Sequence, residues 1–148
     1  MTQLHPYLSF EKARDALSYY EEVFGATNIH RLQVGESQAE HFGMTKEQAL
    51  ESTMHAEFEV LGVKILCSDS FGRVENINNG ISLLIDFDIN DKEDTERVHQ
   101  FYNKIKDHES LNIEMPLEEQ FWGGQMGAFT DKYGVRWMLH GQDYTKLN

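Results

Sequence analysis

"MGAFTDKYGVRWMLHG", residues 126–141, holds an alternating strand ending at Asp131, a turn through Lys132, Tyr133 and Gly134, and a second alternating strand. Successive side chains of a strand point to opposite sides. On the second strand Arg136, Met138 and His140 therefore share one face, and Val135, Trp137 and Leu139 share the other. The bulky apolar face predicts burial under a helix, which leaves the Arg136 face open. A register one residue off would bury the Arg136 charge and expose the Trp137 indole.

The same strand has a counterpart earlier in the chain. "GVKIL" at 62–66 matches "GVRWM" at 134–138: a turn glycine, Val, a basic residue and two apolar residues. "HPYLSF" at 5–10 can likewise be laid on "SLLIDF" at 82–87, each just ahead of a helical pattern. After the first comes "EKARDALSYYEEVFG", with Ala13, Ala16, Leu17, Tyr20 and Phe24 at helical spacing and Gly25 as a stop. After the second, Val98, Phe101, Tyr102 and Ile105 form a helical stripe behind the acidic start Asp91 and Asp94. The order is strand, helix, three strands, and then the same again. This predicts an internal duplication, with modules at about 1–68 and 80–141 in a single domain spanning 1–148.

"LHPYLSF" at 4–10 reads as a strand with Leu4, Pro6, Leu8 and Phe10 inward and His5, Tyr7 and Ser9 outward. Pro6 marks an edge or a strand start. Residues 26–34 are strand-like, and "HAEFEVLGVKILCS" gives two strands around Leu61 and Gly62. There Ala56, Phe58 and Val60 face one way, and His55, Glu57 and Glu59 the other. Residues 36–52 are a polar excursion in which Thr45 and Gln48 form a capping box for a short helix. The excursion reads as a lid, a dimer contact or a loop. Residues 69–80 form a polar connection, and "LNIEM" at 111–115 is a short strand.

Composition narrows the function. Thirteen Lys and Arg against 25 Asp and Glu give a formal charge of −12. Such a field repels phosphate backbones and anionic headgroups, so nucleic acid and membrane surfaces are poor partners. No apolar run reaches the length of a spanning helix, and no basic-then-apolar signal pattern opens the chain. The lone Cys67 has no internal disulfide partner, which suits a reducing cytoplasm.

The duplicated pattern resembles the vicinal oxygen chelate superfamily of glyoxalase I, bleomycin-resistance proteins and extradiol dioxygenases. "PYLSF", "ALSYYEEVFGA", "MHAEFEVLGVKILCSD" and "WGGQMGAFTDKYGVRWML" look like its PhnB-like branch. The resemblance implies an α+β fold of two βαβββ modules whose mixed sheets form a curved cleft. It also implies a homodimer, which the open strand edges make physically sensible. Some members of the branch carry a ubiquinone-methyltransferase label, but no stretch here resembles a Gly-rich adenosylmethionine-binding loop.

Enzymes of this superfamily hold a divalent metal through four inward side chains. The resemblance lays those positions on His5, Ser82, Leu66 and Met138. Only His5 is a good ligand; a thioether and an aliphatic chain do not hold a hard or borderline cation. No cofactor is therefore expected. The alternative is a non-standard divalent metal site drawn from His5, His55 or Glu57, with His140 on the same open face as Met138. The resulting expectation is metal-independent binding or sequestration of a small molecule, as in bleomycin-resistance proteins. A lyase, isomerase or dioxygenase with an unrecognised metal arrangement is the second class.

Candidate ligand-binding residues are His5, Tyr7, His55, Glu57, Ser82, Trp122, Arg136 and Met138. Each also has a plainer reading. His5 also reads as a strand-start histidine near the surface, and His55 with Glu57 as ordinary solvent-facing alternation. Arg136, with Lys64 as its repeat mate, either holds an anionic ligand or forms a cross-strand ion pair. Trp122 ahead of Gly123 and Gly124 can wall a pocket. Cys67 alternates with Val63 and Ile65, reads as a small core hydrophobe and lacks an evident base.

Overall fold

A computed structural model describes residues 1–73 and 80–146, with the Lys146 side chain excepted. Of the connection expected at 69–80, residues 74–79 lie outside the described residues. The chain forms two compact units, Met1–Asn76 and Ile77–Asn148.

The first unit runs β1 (Tyr7–Phe10), α1 (Ala13–Phe24), β2 (Thr27–Gln33), α2 (Glu36–Phe42), α3 (Lys46–Glu51), β3 (Thr53–Val60) and β4 (Val63–Asp69). The second runs β5 (Leu83–Asp88), α4 (Lys92–Ile105), β6 (Asn112–Glu119), β7 (Gln125–Thr130) and β8 (Arg136–Gln142), followed by a 3₁₀ turn at Tyr144–Lys146. The sheets are mixed and four-stranded, ordered β1-β4-β3-β2 and β5-β8-β7-β6. In each, the first strand pairs in parallel with the last, and the other pairings are antiparallel. This is the α+β arrangement that the element order predicts.

The strand register ties the two short sequence matches together. Tyr7 pairs with Leu66 in the first sheet, and Leu84 pairs with Met138 in the second. The match of 5–10 to 82–87 lays Tyr7 on Leu84, and the match of 62–66 to 134–138 lays Leu66 on Met138. Two alignments made separately thus meet at one residue pair. Gly62 (φ 78°) and Gly134 (φ 82°) each end their hairpin turn in left-handed backbone, where a Cβ is disfavoured.

Alternation and helical spacing place the cores. Ala13, Ala16, Leu17, Tyr20 and Phe24 of α1 are buried with Phe10, Ala56, Phe58, Val60, Ile65 and Cys67 of the strands. Tyr20 stacks on Phe58 with ring centroids 5.0 Å apart. In the second unit Val98, Phe101, Tyr102 and Ile105 of α4 are buried with Ile85, Phe87, Phe129, Trp137 and Leu139.

The two long helices are started differently. Asp91 caps its own helix, its side chain accepting from the Asp94 amide at 3.1 Å. Lys12 offers α1 no side-chain cap, and Asp69 at the end of β4 supplies one, accepting from the Ala13 amide at 2.8 Å.

Three local expectations need correction. The first strand begins at Tyr7, so Leu4 is 97% exposed where alternation had placed it inward. The ladder reaches back only to the Pro6 carbonyl, which accepts from the Leu66 amide at 3.0 Å. The excursion at 36–52 contains two helices; the expected capping box starts α3, and α2 precedes it. Val34, Ala39 and Ala49 give these helices a small core of their own, with Met44 and Met54 against it. Arg31 pins the segment to the sheet, Nε donating to Thr53 Oγ1 (2.8 Å) and Nη2 to the Leu50 (2.7 Å) and Ser52 (3.1 Å) carbonyls. Finally, β6 continues past Met115 to Glu119. Its register shifts between Met115 and Glu118, where Pro116 removes a ladder donor on an edge strand.

Candidate functional site

Helices cover one face of each sheet, so the other face carries the candidate residues. On the first sheet, Tyr7, Leu66, Glu57 and His30 form one row across β1, β4, β3 and β2. His55 lies on the same face, its Nδ1 3.3 Å from the Tyr7 hydroxyl and its ring centroid 5.8 Å from that of Tyr7. Glu57 faces Lys64 Nζ at 3.8 Å. His5 precedes β1; its Nδ1 lies 3.3 Å from the Lys64 carbonyl and its Nε2 3.0 Å from Gln3 Oε1.

On the second sheet Arg136 sits at one end of the open face. Its Nε donates to both Glu114 oxygens at 3.1 Å, and Nη1 donates to Ser82 Oγ at 2.9 Å. The charge-assisted fork holds the Glu114 carboxyl below its ordinary range, chiefly through the hydrogen bonds from Arg136. The cross-strand ion pair weighed for Arg136 is therefore present, with Glu114 as the partner. Met138 follows in the middle, half-buried, between Leu84 on β5 and Ala128 on β7.

At the other end lies a group that residue-by-residue reading did not assemble. Asp86 and His140 are register partners on the parallel strands β5 and β8. His140 Nδ1 lies 2.8 Å from Asp86 Oδ1, and the Tyr144 hydroxyl donates to Asp86 Oδ2. Trp122, in the turn between β6 and β7, stacks on His140 with centroids 5.4 Å apart and planes at 24°. Parity already placed His140 on the open face. The repeat alignment lays Ser9 on Asp86, which puts Asp86 outward too. Nothing in the sequence announces Tyr144.

The four metal positions implied by the superfamily do not fit a divalent cation. The Leu66 and Met138 side chains are poor ligands, and the Ser82 hydroxyl already accepts from the Arg136 guanidinium. A fixed cation at that position opposes a second one. Among the described residues, no three His, Cys, Asp or Glu side chains converge as a metal-holding group. The candidates His5, His55 and Glu57 each engage the separate partners described above. Cys67 is buried, which pushes its thiol up to about 12 and keeps it an unreactive core group.

A hollow of about 270 Å³ opens elsewhere, lined by Val34, Ala39, Met44, Ala49 and Leu50 among others. None of the residues singled out from the sequence lines it.

Residues 2–140 match the sequence pattern described as 3-demethylubiquinone-9 3-methyltransferase. The chain belongs to this family. It is a PhnB-like member of the vicinal oxygen chelate superfamily. It is 28% identical to protein YjdN of Escherichia coli (strain K12) over 144 residues, covering 93% of each chain. Protein PA1353 from Pseudomonas aeruginosa superposes with TM-score 0.62 at 27% identity, covering 97% of this chain and 99% of that one. The fosfomycin resistance protein FosX from Listeria monocytogenes, solved with Mn(II), superposes with TM-score 0.62 at 15% identity, covering 100% and 99%. At that identity the likeness shows the shared fold alone. Among the described residues, no helix is long and apolar enough to cross a membrane.

Proposed function

We propose that this PhnB-like protein binds or sequesters a small molecule on its open sheet faces without a divalent metal. One observation carries the reading: the Ser82 hydroxyl, at a metal-ligand position of the superfamily, is taken by the Arg136 guanidinium. Leucine and methionine at two further positions support it. The open face of the second sheet offers what a small molecule needs, with apolar side chains flanked by a few fixed polar groups. The acidic charge of the chain disfavours nucleic acid and anionic membranes as alternatives. A second copy of the chain is part of the proposal, because β1, β2, β5 and β6 lie at sheet edges; light scattering tests it.

The deciding experiment is elemental analysis of protein purified without chelator or an immobilised-metal step. Zn, Ni, Mn and Fe are expected far below stoichiometric amounts. Near-stoichiometric metal that disappears in His5→Ala would overturn the proposal in favour of a metal-dependent lyase, isomerase or dioxygenase.

A further inference from the structure

We propose that Trp122, His140 and Asp86 form a proton-accepting seat for a flat, weakly acidic molecule such as a phenol or enol. The inference rests on the small-molecule reading above and names the ligand chemistry of the second sheet.

Asp86 and His140 are joined by a side-chain hydrogen bond. A carboxylate accepts only, so at 2.8 Å the imidazole donates Nδ1–H to Asp86 Oδ1. In its neutral form His140 then carries its lone pair on Nε2, which makes no hydrogen bond among the described residues. Tyr144 holds the other carboxylate oxygen, so Asp86 is fixed from two sides. The pair is a hydrogen-bond acceptor whose tautomer and orientation are both set.

A surface ion pair alone would explain the contact and would have little consequence. Three further features exceed that explanation. The first unit has Ser9 and Ser68 as the register pair equivalent to Asp86 and His140, so the fold itself does not demand a charged couple there. Trp122 lies against the imidazole at 5.4 Å while remaining 42% exposed, an aromatic plate beside the acceptor. Gly124 makes that placement possible: a Cβ there would fall 1.7 Å from Trp122 Cζ3 and 2.4 Å from the Gly141 carbonyl oxygen. Any side chain at 124 would evict the indole from its position.

The surroundings select the ligand. Across the sheet the row of His140 holds Asp86 on β5, Met126 on β7 and Glu118 on β6. The next row holds Leu84, 47% exposed, and Met138. Flat apolar surface beside one fixed acceptor suits a conjugated ring bearing an O–H. In the bound state the ligand O–H bond breaks and an Nε2–H bond forms. The resulting imidazolium lies between the Asp86 carboxylate and the ligand oxyanion, with no change of oxidation state. Asp86 and Glu118 disfavour a ligand already anionic in solution, whereas a neutral acid that ionises on His140 brings its own proton to balance the charge.

The test uses the full-length protein with p-nitrophenol, at a pH below that phenol's own pKa, and with p-nitroanisole, the same ring without the O–H. Calorimetry and visible absorbance are read together. p-Nitrophenol is expected to bind saturably, to show the phenolate band when bound, and to bind about tenfold or more tightly than p-nitroanisole. Asp86→Asn should weaken p-nitrophenol by about tenfold and remove the phenolate band while leaving p-nitroanisole unchanged. His140→Gln serves as a second variant with the same expectation, and Trp122→Ala should weaken both probes. Equal binding of the two probes without the phenolate band, indifference to Asp86→Asn and His140→Gln, or no binding of either probe would each overturn the seat. Those outcomes leave the metal content untouched, so failure of the seat and failure of metal-independent binding are told apart.

Discussion

Asp131 shows how much one side chain can organise. Its carboxylate is 5% exposed and closes the turn into β8, Oδ1 accepting from the Tyr133 (2.8 Å) and Val135 (3.1 Å) amides. Its Oδ2 accepts from the Trp137 indole N–H at 2.9 Å, so one residue both shapes the turn and satisfies the core tryptophan. Trp137→Ala should therefore cost about 3–5 kcal/mol in urea unfolding, as a large-to-small core change. Met138→Ala, one residue along on the open face, should cost much less and alter only what that face binds. A reversed ranking would mean that the faces are assigned backwards. Cys67 yields a second expectation. The native thiol should resist disulfide reagents that label it in denaturant, because burial pushes it up to about 12. An acid with a raised folded value binds more protons folded than unfolded, so its contribution to stability falls as pH rises from 9.0 toward about 12. Cys67→Ala should flatten that part of the urea midpoint against pH curve.

At the scale of elements, the β3–β4 hairpin carries a cost that the β7–β8 hairpin avoids. Val60 pairs with Val63, which leaves a two-residue loop with Leu61 at φ 52° and Gly62 at φ 78°. Both central residues at positive φ make a type I′ turn, which suits the twist of the strands but favours Asn, Asp or Gly over leucine. Leu61→Asn should raise stability by roughly 1 kcal/mol, measured by thermal or urea unfolding. A loss would mean that the leucine side chain makes a contact worth more than the strain. Turn chemistry also explains what could be read early. Gly62, Gly134 and the Thr45–Gln48 box are signals within a few residues of each other. Helix α2 has no side-chain cap, and its first turn holds only Glu36 as an acidic residue; nothing local distinguished it from polar loop.

For the whole molecule, a formal charge of −12 on 148 residues sets a self-repulsion that salt should screen. The melting temperature should rise as sodium chloride is raised from about 0.01 M to about 0.15 M, the range over which the screening length falls most usefully. A flat or falling trend would mean that paired charges such as Arg136 with Glu114 outweigh the net field.

The chain alone determined the repeated order of strand, helix and three strands, the buried faces of β3 and β8 and the residue types at the family's metal positions. Those properties rest on local periodicity and on the identity of single side chains, both of which are present before folding. The tertiary structure decided what depends on register between distant strands. It set Asp69 as the cap of α1, Glu114 as the partner of Arg136, and Asp86 beside His140 with Trp122 stacked against it. Asp86 and His140 are 54 positions apart, and only the parallel pairing of β5 with β8 makes them neighbours. Hydrogen bonds act over about 3 Å, so a site built from them exists only once the sheet has chosen its register.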